Sequence, residues 1–88
     1  MTTTLKLKPI TSFDKYYIYD VIRKNIIKFR ADLKITQKDL AAGIGHSEDY
    51  ITEIESPTKK KTFSLAIVFK ISIFMQIPIE DFFKMEDV

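Results

Sequence analysis

Apolar residues recur at helical spacing along most of this chain. Ile18, Ile22, Ile26 and Phe29, with Leu33 beyond, fall three or four residues apart, the period of one buried helix face. The pattern predicts a first helix from Ser12, an N-cap residue type with Asp14 in the next turn, to about Leu33. A start near Asp20, with Phe13 to Tyr17 packed as a separate turn, fits the same residues. Arg23, Lys24 and Lys28 lie mostly off the apolar face and read as solvated surface.

Thr36 suits the cap of a second helix, with Asp39 as its capping-box acid. Leu40, Ala41 and Ile44 face inward there, and Ala41 is small where another helix must come close. Gly43 and Gly45 mark a turn, one of them at a left-handed position that glycine adopts cheaply. Ser47 is the natural cap of a third helix, whose buried stripe is Ile51 and Ile54 with Tyr50 at its edge. Pro57 ends it and pushes Ser56 out of the helical region. A fourth helix starts around Thr62 to Ser64 and runs to Met75, apolar on nearly every side. Such a helix is either central or covered by a partner. Pro78 opens a fifth helix, with Glu80 and Asp81 near its positive end and Phe82 and Phe83 turned into the core. At the N-terminus Leu5-Lys6-Leu7-Lys8 alternates briefly before Pro9, as a frayed end or as an edge strand pairing with its copy in a dimer. The expected organisation is an arm over residues 1–11, one domain over 12–84 and a tail over 85–88.

Composition narrows the class. Eighty-eight residues allow one small domain, and 45% hydrophobic residues with seven Phe and four Tyr supply its core. Two Gly and three Pro leave little room for loops. Without Cys there are no disulfides or thiolate metal sites, and the single His46 has no carboxylates spaced to complete a zinc site, so no metal or cofactor is expected. The first residues lack the apolar run of a signal peptide, and Phe63 to Ile79 is too interrupted to cross a membrane, so a cytoplasmic protein is expected. No nucleophile–base pair or phosphate loop is recognisable, and no enzymatic activity is expected.

Residues 36–55 form a pair of short helices around a tight turn, a unit that serves mainly to present its second helix to a DNA major groove. Charge complicates that use. Residues 1–40 carry nine Lys/Arg against four Asp/Glu, whereas residues 46–56 carry Glu48, Asp49, Glu53 and Glu55 and no Lys or Arg. Lys59, Lys60 and Lys61 follow at once. Positive charge therefore brackets a negative helix.

Thr36-Gln37-x-x-Leu40-Ala41, then Gly45, Ile51, Ile54 and Glu55, then Ile77-Pro78-Ile79-Glu80-Asp81-Phe82-Phe83, resemble the Cro/C1-type (XRE-like) helix-turn-helix regulators over about Val21 to Phe83. The resemblance implies an all-α, five-helix, lambda-repressor-like DNA-binding domain behind a short N-terminal arm. It implies a structural ion pair between Arg30 and Glu55, and a phosphate contact for Gln37 at the start of the second helix. Ser47, Glu48, Asp49, Thr52 and Glu53 match positions that reach base edges or backbone. The carboxylates among them depart from the family pattern: they accept only, so they can meet the amino group of cytosine or adenine and repel phosphates. Glu48 and Asp49 are equally explained as helix-start stabilisation. Lys59, Lys60 and Lys61 stand where relatives touch the phosphate backbone, and Arg23, Lys24 and Lys28 would at best add a phosphate-facing patch.

The resulting expectation is a regulator of transcription bound to double-stranded DNA as a homodimer, with no membrane partner. Ile73, where relatives place a polar residue, and Phe63 are its candidate contact residues, though either could be core. The alternative is an antitoxin-like protein-interaction module that keeps the fold and has lost strong DNA binding through its acidic third helix.

Overall fold

The computed structural model describes residues 7, 9, 10, 12 and 14–85. The expected Leu5–Lys8 segment lies outside them except for Leu7, which is exposed and without regular structure. Four α-helices follow in order, α1 (Tyr17–Leu33), α2 (Gln37–Ile44), α3 (Glu48–Glu55) and α4 (Leu65–Met75), and then a 3-10 helix over Ile79–Phe83. The described residues contain no strand.

Local chemistry sets these boundaries. Thr36, Ser47 and Ser64 each accept a hydrogen bond from the backbone N–H three residues on, which satisfies one of the amides every helix start leaves open. At Thr36 the bond is reciprocal, because Asp39 Oδ2 accepts from the Thr36 N–H at 3.1 Å. α1, α2 and α4 end alike: Lys34, Gly45 and Gln76 take left-handed φ of 57°, 76° and 58°, and the next residue's N–H bonds back to a carbonyl of the last turn.

α1 begins later than Ser12. Asp14 instead forms a turn of its own, its Oδ1 accepting from the Tyr16 N–H at 2.9 Å and its carbonyl from Tyr17. The acid expected in the first turn of a helix capped by Ser12 thereby makes its own turn three residues before α1 starts. The apolar face also shifts. Ile22 and Ile26 are buried, but Ile18 and Leu33 at the two ends are exposed, and Arg23 is 2% exposed rather than solvated.

Gly43 is not part of the turn. It lies inside α2, and a Cβ there would overlap the ring of Phe74 on α4. Absence of a side chain at Gly43 thus leaves room for the Phe74 ring of α4 against α2.

The fifth helix is a single 3-10 stretch of five residues, so the domain has four α-helices and not five. Phe82 sinks completely into the core and packs edge-on against Phe29, centroids 5.0 Å apart. Asn25 Nδ2 then donates to the carbonyls of Phe82 and Lys84 at 2.8 and 2.9 Å, which ends the segment before a longer ladder can form. Phe83 faces partly outward. The core joins Ile22 and Ile26 to Leu40, Ile44, Ile51, Ile54, Val68, Ile71 and Met75, with Phe63 closing one side edge-on to Tyr19.

Candidate nucleic-acid interface

The start of α2 is capped by Thr36 and Asp39. Its cap engages the Asp39 amide, which leaves those of Gln37 and Lys38, without intrahelical acceptors, open at the positive end of an eight-residue helix. The Gln37 side chain is committed elsewhere. Its Nε2 donates to Glu55 Oε1 at 3.0 Å, and its Oε1 lies 3.0 Å from the Thr52 hydroxyl. Any phosphate contact here therefore falls to the main-chain amide.

Glu55 is the hub of this corner. Arg30 Nε and Nη2 donate to its two oxygens at 2.8 Å each, and Arg30 Nη1 donates to the Ile35 carbonyl at 3.0 Å. The carboxylate is nearly buried, with every donor–acceptor requirement met, and its hydrogen bonds hold the Arg30 guanidinium pKa above the ordinary value. The end of α1, the start of α2 and the end of α3 are locked together, which fixes how far α3 projects. Losing one partner of a buried pair costs about 3–5 kcal/mol, because the other charge is left unmatched.

The outward side of α3 carries the remaining candidates. Ser47 accepts from the Tyr50 N–H, and its hydroxyl hydrogen stays free for a ligand. Glu48 and Asp49 are exposed in the first turn. Thr52 lies between Gln37 Oε1 and the Glu48 carbonyl. Glu53 turns the other way and pairs with Lys61 Nζ at 3.2 Å. His46 stacks on Tyr50, ring centroids 4.4 Å apart, and Lys61 lies over the same ring, whose burial pushes the Tyr50 hydroxyl pKa up.

The lysine loop is less uniform than its sequence. Lys59 and Lys60 are exposed, whereas Lys61 is drawn back onto Glu53 and Tyr50. Lys60 has a left-handed φ of 50° and its ammonium lies 5.6 Å from the centre of the Tyr16 ring, which Lys15 also approaches. Tyr16 and Arg23 are participants that the sequence does not announce. Arg23 has one weak signal, an acid–base spacing of three from Asp20. Among the described residues no three His, Asp or Glu side chains cluster as a metal site would need.

Gln37 and Thr52 are thus brought together, as are Glu53 and Lys61, on opposite flanks of α3. Ser47, Glu48 and Asp49 stand clear at its start. α3 thus stands between the start of α2 and the lysine loop. A helix-turn-helix family model matches residues 26–82, and the chain belongs to that family, the Cro/C1-type DNA-binding domains. Among solved structures it is similar to the hypothetical transcription factor NHTF from Neisseria, with a TM-score of 0.70 at 20% identity over 86% of this chain and 85% of that one. That likeness is one of fold. No curated protein sequence matches.

Proposed function

We propose that the protein is a transcriptional regulator that lays α3 in the major groove of a two-fold DNA site, with the α2 start and the lysine loop on backbone phosphates. One observation carries this reading: α3 is flanked on one side by Gln37, through Thr52, and on the other by Lys61, through Glu53. Phosphates on both sides of a groove would meet these two edges together. The ion pairs also reduce the charge problem. Glu55 is matched by Arg30 and Glu53 by Lys61, so the unmatched acids of α3 are Glu48 and Asp49. Both are acceptors for a cytosine or adenine amino group, alongside the Ser47 hydroxyl as a donor, while the Thr52 hydroxyl is already donated within the protein.

A module this small binds weakly alone, and a second copy supplies the rest. α4 offers the surface for it, with Leu65, Phe69 and Ile73 exposed on one face at 65, 53 and 60%. Phe63 belongs to the core instead.

The experiment is titration of a random duplex at low salt with the wild type and with Lys59, Lys60 and Lys61 all replaced by Ala. The regulator reading expects clear binding that the triple variant weakens. The exposed Glu48 and Asp49 support the alternative, an interaction module for a basic protein partner, and absence of wild-type binding at any salt would overturn the first reading and favour this one. Selection of bound oligonucleotides from a random pool then reads the site, and enrichment of a palindrome gives its symmetry.

A further inference from the structure

Arg23 lies behind the interface described above rather than on its surface, and it is among the most buried charged groups of the domain, at 2% exposure. It lies beside Ile22 on α1 and uses all three guanidinium nitrogens. Nε donates to the Ile54 carbonyl at 2.8 Å, Nη2 to the Lys61 carbonyl at 3.2 Å, and Nη1 pairs with Asp20. Ile54 is in the last turn of α3, where carbonyls have no intrahelical donor, so the guanidinium closes the end of the recognition helix. The same fork holds the main chain of the lysine loop.

We propose that Arg23 is the positioning residue of that loop, fixing Lys59, Lys60 and Lys61 relative to α3 so that their ammonium groups meet phosphates at a set distance from the groove. The proposal rests on the reading of the loop as a phosphate contact. Three successive like charges repel and would otherwise spread the segment, and Lys60 holds a left-handed backbone that a lysine seldom adopts unaided. Anchoring the Lys61 carbonyl, one residue on, restrains both. Arg23 itself adds nothing to the attraction for DNA, since it is buried and its charge is matched by Asp20. Its effect passes through the loop. Arg is also the side chain this requires, because a lysine carries one donor point and cannot span two carbonyls and a carboxylate in fixed directions.

The test is the salt dependence of random-duplex binding, whose logarithmic slope counts the phosphates neutralised at about 0.9 each. It compares the wild type, Arg23→Met, the Lys59/Lys60/Lys61→Ala triple, and the two combined. The slope of Arg23→Met is expected to fall by about 1–2, while adding Arg23→Met to the triple changes neither slope nor affinity. A wild-type slope in Arg23→Met beside a reduced slope in the triple overturns the positioning role and leaves the DNA reading intact. An unchanged slope in the triple overturns the loop reading, and the proposal with it. An equal loss of affinity from Arg23→Met with and without the lysines means general destabilisation and also overturns it. Should Arg23→Met not fold, Arg23→Lys retains the charge and stem but not the fork, and the same reduced slope is expected of it.

Discussion

On α3 the Glu55 carboxylate receives two hydrogen bonds from Arg30 and one from Gln37, while Glu53, two residues earlier and half-exposed, meets Lys61 Nζ. The first is structural in effect, because it is buried and its donors come from two other segments. If Lys61 meets a phosphate as proposed, Glu53 occupies that position on it, and binding must displace Glu53 or forgo the lysine. An exposed pair is weak, worth about 0–1 kcal/mol, and phosphate can compete for it. Glu53→Gln is therefore expected to bind a duplex several-fold more tightly at low salt, with a slope steeper by about 1, as one further lysine becomes available. Fluorescence anisotropy over a salt series measures both. Weaker binding by this variant would instead place Glu53 on a base edge.

At the scale of elements, α2 depends on its two ends. The Asp39 carboxyl is held below its ordinary pKa of 3.8 by the hydrogen bonds from Thr36, backbone first and then side chain. A depressed folded pKa means that the cap's contribution is complete above 3.8 and is lost as pH falls through the folded value. Urea midpoints should decline below about pH 4, and Asp39→Asn should flatten that part of the curve. An equally steep decline in the variant would show that the cap adds nothing measurable.

Toward the other end, Gly43 gives up helix propensity of about 1 kcal/mol relative to Ala so that α4 can approach. Displacing the Phe74 ring costs more than that gain, so Gly43→Ala is expected to destabilise the domain by roughly 1–2 kcal/mol. In a Phe74→Ala background the same change should become stabilising by about 1 kcal/mol. Chemical denaturation of the four proteins reads the reversal of sign, and no reversal would mean that Phe74 is not the obstacle.

At the scale of the molecule, α4 has one face in the core and an equally apolar face outside. Val68, Ile71 and Met75 are buried, whereas Leu65, Phe69 and Ile73 are open. Shallow grooves of about 480 and 400 Å³ run on either side of the Phe69–Ile73 ridge, a form that a second copy can match by two-fold symmetry. If this face joins two copies, Ile73→Glu should yield a monomer by sedimentation equilibrium without lowering thermal stability per chain, because Ile73 is not core. Its affinity for a palindromic site should fall at least tenfold. A wild type that is monomeric at all concentrations would remove α4 as the dimer contact.

Period and caps were legible in the chain because both are local. Thr36, Asp39, Ser47, Ile51 and Ile54 act within one helical turn, and the glycine at 45 stands at the left-handed step between α2 and α3. The sequence by itself determined an all-α domain, its helix-turn-helix unit and a charge pattern with positive flanks around an acidic helix. Tertiary structure decided the rest. It buried Arg23, whose acceptors are main-chain carbonyls 31 and 38 residues away and carry no residue identity to read. It placed Gly43 under Phe74, chose which side of the uniformly apolar α4 faces in, and shortened the fifth helix where Asn25 takes up its terminal carbonyls. It also divided the acids of α3, matching Glu53 and Glu55 while leaving Glu48 and Asp49 open. Which charges remain free depends on neighbours from other helices, and only folding brings those neighbours together.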